Sequence, residues 1–206
     1  MDADAPAQGS GRRPSAARRR LLDTADRLFY ANGVQAVGVD RILAEAEVTR
    51  VTFYRHFPTK EHLVEAYLRE RMARGRRRVT EVLERSPGDP RAALDEIART
   101  FVEDSTVPGL RGCEFVNAAA EYTLDSDPAR TLAVEQRQWI RDVTADLLGR
   151  LGHSRPHALA EVLLMLRTGA VIAAGLDHSD SAFPRFLQAW NSLIDDPQET
   201  GPAPRS

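Results

Sequence analysis

Apolar residues recur at steps of three and four along most of the chain, and this helical period constrains the fold more than any other feature. The first such segment ends at Asn32-Gly33, and its recurring apolar residues are Leu21, Leu22, Ala25, Leu28 and Phe29. No segment alternates apolar and polar residues with the richness in β-branched side chains that is typical of strands. The sequence therefore predicts an all-α fold.

Clusters of Gly, Pro and Asp divide the pattern into four helices up to residue 83 and four or five beyond it. Pro58 breaks the backbone before a long fourth helix, which Thr59 can cap. The predicted helices cover residues 15–32, 38–46, 50–56, 60–83, 91–105, 114–122, 128–151, 156–176 and 182–194. Residues 1–14 have almost no large apolar side chain and residues 196–206 have none, so we expect a flexible basic arm and a disordered tail.

Charge is distributed unevenly between the two parts of the chain. Residues 1–78 contain 16 Arg and Lys against 10 Asp and Glu, a net +6, and residues 79–206 contain 12 against 20, a net −8. A basic front joined to an acidic body predicts that the front meets a polyanion.

The single cysteine, Cys113, excludes an intramolecular disulfide. The N-terminus has no apolar stretch of signal-peptide length, and no other apolar stretch approaches twenty residues by inspection. We therefore expect a cytoplasmic protein without a membrane segment. No cluster of metal ligands or cofactor motif is evident, so we expect no cofactor and no metal.

The segment from Val48 to Leu63, VTRVTFYRHFPTKEHL, combines small hydroxyls, aromatic rings and cations on a very short helix. Such a mixture suits a helix in the major groove of DNA. Short side chains allow close approach, Arg supplies paired donors to guanine, and Tyr, Thr and Lys hold phosphates. Phe53 and Phe57 are expected to point to the core.

In this segment and before it, the chain resembles the TetR family of transcriptional regulators. The matching positions are Leu28-Phe29, Gly33, Ile42, Ala46, Val48, Thr52, Tyr54, His56-Phe57, Lys60-Glu61 and Leu63. The resemblance implies a helix-turn-helix DNA-binding domain at residues 15–60 and a helical ligand-binding and dimerisation domain at 61–195. It further implies a repressor that binds a palindromic double-stranded operator as a homodimer and is released by a small-molecule effector.

The resemblance also implies a set of DNA contacts, which are Thr49, Arg50, Thr52, Tyr54, Arg55, His56 and Lys60. Two of them have a second interpretation, because His56 can be a packed cap of the third helix and Arg55 can point to solvent. Arg18-Arg19-Arg20 can be a phosphate clamp or a solvated helix start, and Arg12 and Arg13 can enter a minor groove. Glu47 stands where the family usually has Gly, so either the turn differs or stability is lost. Gly38 replaces a frequent capping Thr.

For the body, the resemblance implies a dimer interface on the last two helices and a cavity between them and the long fourth helix. The expected interface residues are Leu159, Val162, Leu163, Leu166, Ala170, Ala173, Phe186 and Trp190. The residues with suitable character for the cavity are Phe101, Phe115, Asn117, Glu121, Tyr122, Trp139, Met165 and Thr168. Both sets can also be ordinary core, and an exposed helix face would explain the Asn117–Glu121 pair equally well.

Two other classes of function remain as alternatives. The basic front alone would allow a sequence-tolerant, architectural DNA-binding protein. A small helical enzyme is disfavoured, since the chain shows no phosphate loop, nucleophile elbow or convincing acid–base pair.

Overall fold

The computed structural model describes residues 15–105, 111–122, 124, 127–177 and 179–196. Within these residues the protein forms nine α-helices and no β-strand, which confirms the all-α prediction. The helices are α1 (Ala16–Asn32), α2 (Val39–Ala46), α3 (Arg50–His56), α4 (Lys60–Arg85), α5 (Pro90–Ser105), α6 (Glu114–Ala120), α7 (Pro128–Arg150), α8 (Pro156–Leu176) and α9 (Ala182–Ile194). The predicted arm with Arg12 and Arg13, and the predicted tail beyond Asp196, lie outside the described residues.

Side-chain caps fix where three of the N-terminal helices begin. Ser15, Thr49 and Thr59 each accept a hydrogen bond from the backbone N–H three residues later, at 3.2, 3.3 and 3.4 Å. These bonds satisfy donors that the first turn of a helix leaves free. At Gly38 no side-chain cap forms, and α2 begins without one.

Glu47 closes α2 in the left-handed conformation, with φ 53° and ψ 49°. Its N–H and that of Val48 both donate to the carbonyl of Leu43, so the residue ends the helix as a glycine would. Of the two outcomes that the sequence left open, the turn keeps its geometry and Glu47 carries the strain of a positive φ.

The hydrophobic interior consists of two clusters that share α4 and α7. The first holds α1–α3 together through Leu21, Leu28, Ile42 and Phe53, and it extends to the N-terminal half of α4, to α6 and to the start of α7. The second joins the C-terminal half of α4 to α5 and to α7–α9, around Trp190. The long helix α4 therefore connects the three N-terminal helices rigidly to the body.

Helix α8 is more apolar than the sequence analysis recognised. It is long and apolar enough, by composition, to cross a membrane, although only 28% of its most apolar stretch is buried inside the chain. It packs along α7 and α9 on one side. The other side is an exposed apolar surface, whose role is considered below.

Candidate nucleic-acid interface and effector cavity

Helix α3 separates its buried and exposed positions cleanly. Phe53 is fully buried in the first cluster and Phe57, which follows the helix, is almost so, as the sequence predicts. The rings of Phe53 and Phe57 lie 6.0 Å apart and anchor the helix. The opposite face carries the four exposed side chains Arg50, Val51, Tyr54 and Arg55, at positions that a helical turn brings together.

The N-terminus of α3 is held by two hydrogen-bonded groups. Thr49 accepts from the N–H of Thr52 and donates its own hydroxyl to the Thr52 Oγ1 at 3.0 Å. Arg50 forms an exposed ion pair with Asp40, from the first turn of α2. A guanidinium bound to an exposed carboxylate can exchange that partner for a phosphate or a base edge.

His56 and Lys60 are half-buried and have partners within the chain. The His56 Nε2 lies 2.9 Å from the hydroxyl of Ser15, which caps α1, so this contact favours the packed interpretation of His56. The ammonium of Lys60 donates to the carbonyl of Gln35 at 3.5 Å. Burial lowers the pKa of Lys60 below its usual value, although the carboxylates of Glu61 and Glu121 oppose the shift.

The three consecutive arginines of α1 also have contacts within the chain. Arg18 lies over the Phe57 ring, 5.4 Å from its centre, and Arg19 pairs with Asp23 at 3.6 Å. Arg20 donates to the carbonyl of Ala46 at the end of α2. Arg18 and Arg20 therefore tie α1 to its neighbours, whereas the exposed Arg19 pairs only within α1 among the described residues.

Val51 is a residue that the sequence analysis missed. Its side chain is 80% exposed, between Arg50 and Thr52 in the sequence, on the helix that buries Phe53. An exposed methyl pair at this place suits contact with the C5-methyl of thymine. The spacing of the buried Phe53 and Phe57 would have revealed it, because Val51 lies on the opposite face.

Four of the eight expected dimer residues, Leu159, Leu163, Phe186 and Trp190, are covered by their own chain within the second cluster. Their assignment to a dimer interface stays a prediction. Leu166 and Ala170 are partly buried against the same cluster, Ala173 is half-buried, and Val162 is exposed. Chain-internal packing accounts for the burial of the first four.

The exposed apolar surface of α8 follows a regular pattern. Val162, Met165, Gly169, Ile172 and Leu176 are spaced by three, four, three and four residues, and all are exposed. Met165 is 55% and Leu176 is 74% exposed. Nothing lies within 4 Å of where a Cβ on Gly169 would be, so the surface is open at its middle. We call these five residues the α8 stripe, and their spacing is that of a helix–helix seam.

A cavity of about 640 Å³ lies between α4, α5, α7 and α8. Its lining includes three of the eight predicted ligand residues, Phe101, Phe115 and Trp139. Thr168 is not part of the cavity wall. Its hydroxyl accepts a hydrogen bond at 3.3 Å from Arg137, which does line the cavity. The predicted Met165 belongs to the α8 stripe instead.

The other three predicted ligand residues lie in α6 or directly after it, and they are not part of the cavity wall. Tyr122 packs against the first cluster, where burial and the nearby charge of Glu61 raise its pKa to about 12. Asn117 donates to the carbonyl of Arg111 at 2.7 Å. Glu121 accepts from the N–H groups of Val34 and Gln35 at 3.0 and 2.6 Å. These polar groups therefore have backbone partners and do not line the main cavity.

Glu121 joins the body to the loop between α1 and α2. Gly33, where α1 ends, has φ 88°, and a Cβ there would lie 2.9 Å from the Glu121 Oε1. Only glycine combines this positive φ with so close an approach. We call Gly33, Val34, Gln35 and Glu121 the loop clamp.

Arg71 forms a second joint between the N-terminal helices and the cavity. It donates to both carboxylate oxygens of Asp26 in α1, at 2.5 and 3.1 Å, and lies 3.8 Å from Glu114 of α6. Its guanidinium also covers the rings of Tyr30 and Tyr67. Because Arg71, Tyr30 and Glu114 all line the cavity, its wall is continuous with the contacts that hold α1. No local motif distinguishes Arg71 from the other arginines of α4.

Comparisons with known proteins agree with this architecture. A family model described as "Bacterial regulatory proteins, tetR family" matches residues 21–67. The chain is 38% identical to a TetR-family transcriptional regulator of known structure from Streptomyces coelicolor, with a TM-score of 0.84, over 90% of this chain and 96% of that one. The transcriptional repressor NemR of Escherichia coli strain K12 is 27% identical over 87% of this chain and 94% of its own. The crystal structure of reduced E. coli NemR is 26% identical, with a TM-score of 0.76, over 86% of this chain and 96% of that one.

Proposed function

The chain belongs to the TetR family of transcriptional regulators, and from this premise we propose that it is a repressor controlled by a small molecule. Two copies bind a palindromic operator through α3, and an effector in the cavity releases them. The observation that carries the proposal is the exposed polar face of α3 on a fully buried aromatic anchor. The relatives named above are regulators rather than enzymes, and we expect the same cytoplasmic setting for this chain.

The proposed DNA contacts are the exposed and half-exposed residues of α3 and its two flanks. Arg50 reads a base edge, and Val51 contacts a thymine methyl beside it. Thr49, Thr52, Tyr54 and Arg55 hold the backbone, and Lys60 adds positive charge at the first turn of α4, where the helix dipole also favours phosphate. His56 serves the interface indirectly, because its bond to Ser15 fixes the start of α1 against α3.

We propose that the α8 stripe pairs with the same stripe of a second copy. Of the eight large apolar side chains that are exposed in the described residues, four belong to it. A seam repeated by a two-fold axis is self-complementary, and Gly169 permits close approach at its centre. The pairing places two α3 helices for half-sites about 34 Å apart, which one copy cannot span.

Release by the effector follows from the two joints, the loop clamp and the Arg71 contacts, that connect the cavity to the N-terminal helices α1–α3. A molecule in the cavity touches Tyr30 and Arg71, which fix α1, and the loop clamp passes a shift of α6 to the loop before α2. Displacing α1 and α2 changes the distance between the two copies of α3. An effector that binds the displaced arrangement more tightly than the DNA-binding arrangement lowers operator affinity. The size of that loss is limited by the difference between its affinities for the two arrangements.

Footprinting on fragments selected from the host genome tests the proposal. A dimer that reads sequence protects a short, discrete, two-fold symmetric site. Uniform protection of the whole fragment would instead support the architectural alternative, which the basic front alone allows. Turnover of a metabolite by the purified chain would favour the enzyme alternative.

A further inference from the structure

The charges of the cavity wall are out of balance. Five arginines line it, against the three carboxylates Glu103, Asp104 and Glu114. Each of these carboxylates already has a guanidinium partner. Glu103 and Asp104 pair with Arg78, and Glu114 lies beside Arg71, which is also bound to Asp26.

The other three arginines, Arg74, Arg137 and Arg167, have no carboxylate partner among the residues that the structure describes. Arg137 donates to the Thr168 hydroxyl, and Arg167 lies 4.8 Å from the centre of the Phe101 ring. The Arg167 Nε is buried and has no hydrogen-bond partner in the described part of the chain. A buried donor without an acceptor is costly, so the Arg167 guanidinium keeps a hydrogen-bonding capacity that the described residues do not use.

The five residues that follow Ser105 in the sequence carry no negative charge. Residues 106–110 read TVPGL and contain no Asp or Glu. Phe101, Trp139 and Leu164 also line the cavity. The wall thus combines guanidinium groups that lack a carboxylate partner in the described residues with aromatic and aliphatic side chains.

We infer that the effector is an amphipathic anion, with a carboxylate, sulfonate or similar group bound by Arg137 and Arg167 and an aromatic or aliphatic body against Phe101 and Trp139. This inference rests on the proposed control by a small molecule and names the chemistry of that molecule. Guanidinium forks match such anions by paired, charge-assisted hydrogen bonds. Arg74, which is exposed, stands at the rim and attracts the anion.

A pair of fluorescent probes that differ only in charge tests this chemistry on the full-length protein. Anilinonaphthalene sulfonate carries the anion, and N-phenylnaphthylamine is the same ring system without it. We expect the sulfonate to bind about tenfold more tightly, since a hydrogen bond to a charged partner contributes at that level. Equal binding of the two probes, or tighter binding of the neutral one, would overturn the inference.

Three variants locate the charge that makes the difference. Arg137→Gln and Arg167→Gln should each weaken sulfonate binding about tenfold and leave the neutral probe within about twofold. Retained binding of the neutral probe shows that the cavity is still folded. The matched control is Arg77→Gln, which removes an exposed arginine of α4 outside the cavity wall and should change neither affinity.

A loss of affinity for both probes alike in the cavity variants, or the same loss of sulfonate binding in Arg77→Gln, would contradict the assigned charge. These titrations contain no DNA. Their failure is therefore distinct from failure of the proposed function, which the footprint decides.

Discussion

The N-terminal helices and the body present their functional residues in opposite ways. In α3 the proposed contacts lie within one short stretch of sequence, point outward and rest on a buried aromatic anchor. In the body they come from helices far apart in the chain and point inward to a shared cavity. A surface that reads DNA must be exposed and locally rigid, whereas a pocket that encloses a small molecule needs walls from several sides.

The joints between the two regions also differ from the surface ion pairs around α3. Arg71 and Asp26 are mostly buried, whereas Arg50 and Asp40 are mostly exposed. Exposed pairs exchange partners at little cost, and buried ones hold their geometry. The comparison suggests that the surface of α3 can change its contacts, whereas the Arg71–Asp26 joint can transmit a shift from the cavity to α1.

The largest effect that we expect comes from breaking the α8 stripe. Ile172→Glu places two like charges within the proposed seam, so the dimer should dissociate and operator affinity should fall by about 100-fold or more as avidity is lost. Sedimentation and mobility shift measure the two consequences. Val134→Glu alters an even more exposed apolar residue, on α7, and should leave both unchanged. A dimeric Ile172→Glu protein would place the interface elsewhere.

The next effect concerns the joint at Arg71. Arg71→Met leaves Asp26 partly buried without its cation, so the free energy of unfolding should fall by about 2 kcal/mol, below the roughly 3–5 kcal/mol of fully buried pairs. Arg69→Met breaks an exposed pair with Glu65 on the same helix and should cost less than about 0.5 kcal/mol. Urea denaturation measures both, and equal losses would show that the joint is no stronger than a surface pair.

A smaller and opposite effect is expected at Glu47. Glu47→Gly relieves a positive φ and should raise the free energy of unfolding by about 1 kcal/mol. Glu47→Ala keeps the strain and removes only the carboxylate, so it should leave stability nearly unchanged. If alanine stabilised the protein as much as glycine, charge rather than backbone strain would be responsible.

The smallest effect is expected at Asp40, which pairs with Arg50 in the absence of DNA. Asp40→Asn removes the carboxylate that competes with DNA for Arg50. Affinity for DNA that lacks the operator sequence should therefore rise about threefold, as the loss of one exposed ion pair implies. Glu84→Gln removes the same charge from an exposed position at the other end of α4 and serves as the control. An equal rise in both variants would assign the change to net charge alone.

The sequence predicted the helices of the N-terminal region far better than the residues that form the cavity, for physical reasons. Caps such as Thr49 and Thr59 act on donors three residues away, so both helix starts could be read locally. Helix α8 is apolar on more than one side, and only its packing on α7 and α9 decides that Leu163 is buried and Met165 exposed.

The cavity arginines show the same limit. Arg71, Arg137 and Arg167 lie on three helices, and nothing in their local sequence tells them from solvated arginines. Their partners Asp26, Thr168 and Phe101 each lie on a different helix from the arginine that they contact. The period of apolar residues within one helix does not predict contacts that depend on how helices far apart in the sequence pack together.

One mobility-shift measurement tests the central claim most directly, which is that the exposed face of α3 reads the operator. The protein with Arg50→Ala and Tyr54→Ala is titrated onto the selected operator beside Arg99→Ala, which removes an exposed arginine of α5. The account predicts a loss of about 100-fold or more for the double variant and none for Arg99→Ala, since each lost contact is worth about tenfold. Operator affinity that is unchanged in the folded double variant would contradict it.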